Sequence, residues 1–420
     1  MARFLHLADI HLGFDRYDNK ERTKDFFRAF QDALERHAIA AQVDFVLIAG
    51  DLFEHRNIQP AILNQAQLCL QRLKEADIPV LAIEGNHDNC PYGVKTSWLR
   101  YLSDWGLLKL LEPGDISAGE PFYTPWNDEL HRGGYIDLDC GVRVVGSNWY
   151  GAAAPRAIEQ IAAAIKALPA GPESLVLMFH HGLEGQISRY VGALRYRELA
   201  PLKQAGVDYL ALGHIHKNYA VEGWIFNPGS LEANNVEESR YDRGVYLVDI
   251  DDDGVHAVLK QDYYQRPIVR LKLTARGQES VADIEQSAIA KIQHAVQSGQ
   301  LDRLQTPIVE LRIDGQVGFE RLELDTRQLQ QTLQRQSEAL IFLLKYDVDP
   351  VAYASPLNEE ASRLQIEQDV FTDLLAANHV YKKRADSLAT GLIELKDMQL
   401  EGQTEEALYQ FVQTLLQVEH

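Results

Sequence analysis

Six short, mainly apolar runs, at residues 4–8, 45–49, 80–83, 142–145, 175–179 and 209–212, stop abruptly at a charged or polar residue or at Gly. Runs of this length without alternation suit strands buried on both faces of a largely parallel sheet. Between the early ones lie helix-length stretches at 24–41, 62–76 and 156–168, with apolar residues spaced by three and four. Strand and helix therefore alternate, which predicts an α/β fold for the N-terminal part. Shorter strands are expected around 224–226 and 245–250, separated by the turn formers Asn227-Pro228-Gly229 and Asp251-Asp252-Asp253-Gly254.

A chain of 420 residues exceeds what one compact core usually needs, so more than one domain is expected. A second unit is read from about Gln265-Arg266-Pro267, with strands at 268–273 and 307–313 around a helix at 281–296. This divides the chain into residues 1–264, a small α+β domain at 265–352 and a helical region at 353–420. In the last of these, Leu408, Phe411, Val412, Leu415 and Leu416 form an apolar stripe that fits either packing within the chain or a partner's groove. No internal repeat or low-complexity tract is present.

Acidic side chains number 61 against 41 basic ones, a net charge of −20, which repels a phosphate backbone unless charge is reversed locally. The three cysteines, Cys69, Cys90 and Cys140, lack the pairing of a zinc knuckle or a disulfide framework, which fits a reduced, cytoplasmic protein. No uninterrupted apolar stretch approaches a membrane span of about 18 residues.

The informative polar groups stand at the ends of the strand candidates: Asp9-Ile10-His11, Gly50-Asp51, Gly85-Asn86-His87-Asp88, His180-His181-Gly182 and Gly213-His214-Ile215-His216. In open α/β sheets, loops beyond the carboxyl ends of strands converge on one edge, so these five can build one site. Carboxylate, imidazole and a single amide oxygen form a mixed O/N donor set suited to Mn²⁺, Fe or Zn. Seven ligand candidates exceed the needs of one ion. Two divalent ions bridged by a carboxylate and a water would use them all, and would favour in-line attack on a phosphoester. An Asp-x-His pair alone carries almost no information, and Asn-His-Asp after Gly is often only a turn. Five such groups, in order and each at a strand end, form a strong joint pattern.

These residues identify a resemblance. The chain resembles the calcineurin-like metallophosphoesterases over roughly residues 1–250, and within them the SbcD-type DNA repair exonucleases, through HLADIHLG at the start, AGDLFEHR at 49–56, ALGHIHK at 211–217 and NPGSLE at 227–232. The resemblance implies a two-sheet sandwich flanked by helices, followed by an α+β capping domain and the helical region. It implies one metal held by Asp9, His11 and His216, a second by Asn86, His180 and His214, and Asp51 bridging. His87 would not be a ligand but would lie near the scissile phosphate, with Asp88 either orienting it or capping a helix. Of the adjacent His180 and His181, the ligand role goes to His180, because successive strand side chains face opposite ways. Glu54 stands where some family members carry a substrate-side histidine, and His55 is next to it. Substrate contact is expected from Arg189, Tyr190, Arg195, Tyr196 and Arg197, since arginine binds phosphate and tyrosine stacks on bases. The resemblance further implies DNA as substrate, Mn²⁺ as the metal, an SbcC-like SMC-type ATPase as partner and homodimerisation. Two other readings remain open from the residues alone: hydrolysis of a small phosphoester, and a non-catalytic subunit that keeps the fold.

Overall fold

The computed structural model describes residues 1–187, 192–350, 363–376 and 381–417. Twelve strands build two sheets: β1 (Ala2–Leu7), β2 (Phe45–Ala49), β3 (Val80–Ile83), β4 (Lys109–Leu110), β5 (Tyr135–Leu138), β6 (Val142–Val145), β7 (Ser174–His180), β8 (Tyr209–Gly213), β9 (Tyr219–Val221), β10 (Ile225–Asn227), β11 (Val245–Asp251) and β12 (Gly254–Lys260). Helices α1 (Lys20–Leu34), α2 (Pro60–Glu75), α3 (Trp98–Asp104), α4 (Ala154–Lys166) and α5 (Ala200–Gln204) lie between them in sequence. The first sheet runs β12-β11-β1-β2-β3-β4 and the second β5-β6-β7-β8-β10-β9. The centre of each is parallel, β1-β2-β3-β4 in one and β6-β7-β8-β10 in the other, with antiparallel strands at the margins.

Strand periodicity sorts the side chains into layers. Phe4, Phe45, Leu47, Leu81 and Ile83 of the first sheet meet Val144, Val176, Met178, Tyr209 and Ala211 of the second in one buried core. Their neighbours Leu5, Leu7, Val46, Ile48 and Ala82 face the other way, against Ala29, Phe30 and Ala33 of α1 and Ala66, Leu70 and Leu73 of α2. The second sheet repeats the plan: Val145, Leu177, Phe179, Leu210 and Leu212 cover Ile158, Ile161 and Ile165 of α4. Both faces of the central strands are thus buried, which is why their sequences read as continuous apolar runs. Rings tie the two sheets together, with Phe4 stacked on Phe45 at 4.7 Å and edge-on to Tyr209 at 5.2 Å. The expected two-sheet sandwich flanked by helices is the fold observed.

Helix α1 begins at Asn19, whose side chain accepts from the Glu21 backbone N–H at 3.0 Å, and it buries Phe26, Ala29, Phe30 and Ala33 along one face. Beyond the sandwich, β13 (Ile268–Arg276), α6 (Val281–Gln297), β14 (Ile308–Val317), α7 (Thr326–Ser337) and β15 (Ile341–Pro350) form an α+β arrangement with sheet order β13-β14-β15. Helices α8 (Arg363–Ala376), α9 (Ala385–Leu400) and α10 (Glu405–Gln417) follow. By compactness the chain divides into two units. One comprises Met1–Leu273, Glu285–Arg312 and Thr326–Tyr346, and the other Thr274–Ile284, Ile313–Asp325 and Asp347–His420. In the second unit Gly391 lets α9 and α10 approach closely, since a Cβ there would lie 2.3 Å from Leu415 Cδ1. Leu408, Phe411, Val412 and Leu415 of the apolar stripe are half-buried, whereas Leu416 is exposed. No helix among the described residues is long and apolar enough to cross a membrane.

One polar group sits inside the sandwich. His6 is fully buried, and its Nε2–H donates to the Leu212 carbonyl at 3.0 Å while Nδ1 accepts from the Tyr209 hydroxyl at 2.9 Å. This bridge links β1 to β8 just before each strand delivers its site residues. Burial pushes the imidazole down to about 3 from 6.5, so the folded chain keeps it neutral where the unfolded chain takes up a proton. The His6 contribution is therefore present in full above pH 6.5 and is lost as pH falls toward the folded value. At pH 5 the loss is about 2 kcal/mol. Denaturant unfolding between pH 7.5 and 5 is expected to show this decline, and His6→Gln to be less stable at pH 7.5 but shallower in pH dependence by about one proton. An unchanged slope in the variant would contradict the assignment.

Candidate metal centre

Five loops leave the carboxyl ends of β1, β2, β3, β7 and β8 and meet at one edge of the sandwich. They are laced by backbone bonds, Asp9 N–H to Gly50 O at 3.1 Å, Ile10 N–H to Asp51 O at 2.9 Å and Leu12 N–H to Leu52 O at 2.9 Å. Four non-glycine residues in them adopt the left-handed region: Asp9 (φ 54°), His11 (φ 51°), Asp51 (φ 55°) and His214 (φ 82°). Such conformations each cost of order 1 kcal/mol or more and persist only where the surroundings over-determine them. Here they turn polar side chains inward from the ends of apolar strands.

The structure brings the seven residues expected as ligands into two adjoining groups. In the first, Asp9, His11 and His216 place donor atoms within 4.8 Å of one another, and His11 Nε2 stands 3.1 Å from His216 Nε2. In the second, Asp51 Oδ2 lies 3.2 Å from His180 Nε2, and the Asn86 amide oxygen lies 3.3 Å from His180 Nε2 and 2.8 Å from His214 Nδ1. Asp51 also accepts the His87 backbone N–H at 2.9 Å, and Asp9 accepts the His214 N–H at 2.9 Å, so the groups share a frame.

The donor set fits divalent cations. His216 Nδ1 bonds to Glu238 at 3.2 Å and His11 Nδ1 lies 2.8 Å from Glu54 Oε2. The two Nε2 atoms stand 3.1 Å apart, close enough to serve one cation together. Adjacent donors about 2.1 Å from a common ion stand about 3.0–3.4 Å apart. His11 Nδ1 and Glu54 Oε2 are moreover buried without a well-aligned hydrogen bond. Charge gives the same indication. Burial raises the Asp9 carboxyl despite the pull of His180 and His216, whereas at Asp51 burial is outweighed by His180, His11 and His87 together, which hold the carboxyl below its usual range. Burial would strip His180 and His216 of protons, yet Asp51 and Glu238 respectively push each up to about 9. His214, buried beside His180, falls to about 3. The pocket binds protons where positive charge is wanted.

The remaining predicted residues take varied places. His87 donates from Nδ1 to the Glu54 carbonyl at 2.6 Å, and its ring meets His11 edge-on at 5.0 Å. Asp88 accepts from the backbone N–H groups of Leu52 at 3.2 Å, Phe53 at 3.1 Å and Gly85 at 3.1 Å. It therefore clamps the β2 and β3 loops together, and neither the His87 ring nor a helix start is its partner. His181 turns away from the ligand candidates, its Nε2 3.2 Å from the Gly151 carbonyl and its ring stacked on Trp149. His55 is exposed and paired with Asp15 at 3.3 Å. Arg195 and Arg197 are exposed, Arg195 lying 3.8 Å from Glu184. The Tyr196 hydroxyl donates to Glu222. Arg189 and Tyr190 lie outside the described residues.

Two contributors had no sequence signal of their own: Glu238 backs His216 from 22 positions away, and Trp149 lies 5.0 Å from the His214 ring and 5.6 Å from His180. Glu54, singled out in the sequence for another reason, sends its carboxylate to His11 from another loop. Only the Asn235-capped turn before Glu238 is locally readable.

A fold of two mixed sheets carrying this paired donor set defines a phosphoesterase class. Residues 2–218 match the family model described as calcineurin-like phosphoesterase, and the chain belongs to that family. Among curated proteins it is similar to the DNA double-strand break repair protein Mre11 of Archaeoglobus fulgidus, 30% identical over 244 residues that cover 56% of this chain and 52% of that one. The proteins of the same name from Saccharolobus solfataricus and Aeropyrum pernix are each 27% identical, covering 60% and 74% of this chain and 61% and 73% of theirs. The chain thus spans about half the length of the first of these relatives.

Gly85 passes so close to Asp51 that an added Cβ would lie 2.1 Å from its Oδ1. Gly85→Ala is expected to displace that carboxylate and abolish the rise in Tm on adding Mn²⁺ that the wild type should give. A variant stabilised by Mn²⁺ as strongly as wild type would refute the placement.

Proposed function

We propose that this chain is a metal-dependent DNA nuclease of the repair type, hydrolysing phosphodiester bonds with two divalent ions, Mn²⁺ foremost. The observation that carries the reading is the pair of ligand groups, Asp9, His11 and His216 beside Asp51, Asn86, His180 and His214, with His87 next to them. Asp51 is the candidate bridge, because its carboxylate belongs to the second group while its backbone holds the loop of the first. Divalent ions bound there would polarise a phosphodiester and offset the charge that builds on its oxygens, an effect worth several kcal/mol.

The protein's own part is positional. The His87 Nδ1–H is committed to the Glu54 carbonyl, so Nε2 is the atom able to hold a proton for the leaving oxygen. Asp88 keeps that loop in register through three backbone N–H groups. Cations held at the site would reverse the local charge, which would let a chain of net charge −20 accept a polyanion. The relatives bear the name of a double-strand break repair protein, which supports DNA as the substrate. We assign the nuclease domain to residues 1–264, the orienting of a duplex to the α+β segment at 265–352, and docking of an SbcC-like SMC-type ATPase to the helices within 353–420. That partner would supply much of the basic surface that DNA binding needs. Three unpaired cysteines support a reducing, cytoplasmic setting.

The test is Mn²⁺-dependent cleavage of end-labelled linear DNA alongside bis-p-nitrophenyl phosphate. Wild type should cleave both, while His87→Ala should keep its metal and lose about 10²–10⁴-fold in turnover. Asp51→Asn should lose activity together with metal. Model-ester turnover without DNA cleavage, even with the ATPase added, would favour a small phosphoester, and no turnover of either would sink the enzyme reading. Exposed Arg195 and Arg197 are assigned to the DNA backbone, and replacing both by Gln should reduce the salt slope of DNA binding by up to about two phosphate contacts. An unchanged slope would remove them from the interface.

A further inference from the structure

The two ligand groups differ in what stands behind them. In the first, each imidazole is backed by a carboxylate: Glu54 Oε2 lies 2.8 Å from His11 Nδ1, and Glu238 Oε1 lies 3.2 Å from His216 Nδ1. Both carboxylates are largely buried. Glu238 is pinned by the Asn234 N–H at 2.8 Å and the Asn235 side chain at 2.7 Å. In the second group, His180 Nδ1 is held by the neutral Ala49 carbonyl at 2.8 Å, Asn86 contributes a neutral amide, and the Trp149 indole flanks His214. The first group has three carboxylates around it, Asp9, Glu54 and Glu238, whereas the second has Asp51, the candidate bridge, beside the neutral Asn86 amide and Ala49 carbonyl.

We infer that Glu54 and Glu238 are positioning residues that make the Asp9–His11–His216 site the tight one, filled before the Asn86–His180–His214 site. This rests on the two-metal reading above. At His216 the carboxylate bonded to Nδ1 fixes the imidazole tautomer, aims Nε2 at the ion and strengthens it as a donor, and losing such a partner typically weakens metal affinity roughly 10–100-fold, whereas Glu54, 2.8 Å from His11 Nδ1 without an aligned hydrogen bond, acts by its charge. Coulomb attraction acts in the same sense, since buried carboxylates a few ångströms beyond the ligands are only weakly screened. Glu54 gains a second duty, because its backbone carbonyl also sets the His87 ring. Where some family members place a substrate-side histidine, this chain has put a ligand-backing carboxylate. The second, weaker site then governs the metal concentration at which the centre becomes dinuclear.

The experiment is equilibrium dialysis of the full chain, stripped with EDTA, against graded free Mn²⁺. Bound metal is counted by mass spectrometry and its nuclearity read by electron paramagnetic resonance. Wild type should take up one equivalent with an isolated-ion spectrum at a free Mn²⁺ at least tenfold below that needed for the second, which should bring a spin-coupled spectrum. Glu54→Gln and Glu238→Gln should each weaken the first step roughly 10–100-fold and leave the second step little changed. Asn86→Ala should remove the second equivalent alone. Glu238→Gln also touches the Asn234 loop, so Glu54→Gln, whose carboxylate has His11 as its metal-site contact, keeps the test sound if the former misfolds. Two equivalents of equal affinity in wild type, an unchanged first step in Glu54→Gln, or loss of the first equivalent in Asn86→Ala would overturn the inference while leaving two metals in place. Fewer than two equivalents at saturation would overturn the two-metal reading itself.

Discussion

The Asp51 carboxylate is the constraint around which the centre is built. It is almost wholly buried, at 1% exposure, and a lone charge so placed is prohibitively costly unless other groups meet it. His180 from β7 and the His87 N–H from the β3 loop meet it within the protein, while its backbone carbonyl accepts from Ile10 and His11 of the β1 loop. Three strands from two sheets are thus held in register by one residue at a left-handed turn. The close passage of Gly85 beside Asp51, and of Gly50 beside His180, follows from the same crowding.

Around that residue the polar network is layered outward. Asp88 spends both oxygens on backbone N–H groups of the β2 and β3 loops, and burial together with the nearby Asp51 charge pushes its carboxyl up to about 7 against those bonds. Leu231, which follows the NPGS turn, donates its N–H toward the Asp9 carbonyl and accepts from the Tyr263 hydroxyl at 2.9 Å. The next residue, Glu232, is fully buried against Arg22 and accepts the Arg266 N–H at 2.8 Å, and Arg266 in turn grips Asp25 of α1. A buried charge network of this kind is weak evidence for stability, yet removing one partner strands the others. It ties the segment just before β13 to α1 and to the loop that follows the NPGS turn.

The fold was largely legible because strand burial leaves a direct trace. Residues 45–49 and 209–212 read as strands since both faces are covered, one by helices and one by the opposite sheet. The ligand candidates were legible for a related reason: a polar residue inside such a run needs buried partners, as His6 has in Tyr209 and Leu212, so a cluster of polar residues just past the run marks a strand end. What stayed illegible was every partner chosen by proximity in space. Glu238 looks like any acid in a capped turn, Trp149 like any aromatic after a strand, and Asp88 like a helix cap until its three backbone partners are seen. His181 was separated from His180 by the alternation of strand side chains alone, and the ring does turn away, to Gly151.

By itself, the order of residues determined the layers, the strand ends and the identity of the donor atoms, because these depend on local periodicity and on which side chains a buried strand can end with. Tertiary structure alone decided which imidazoles are backed by charge and which by a neutral carbonyl. Those outcomes depend on distances of 2.8–3.2 Å between His11 and Glu54 and between His216 and Glu238, set where separate loops cross. Electrostatics at such range is steep in distance and blind to sequence separation, so no spacing rule could have carried it.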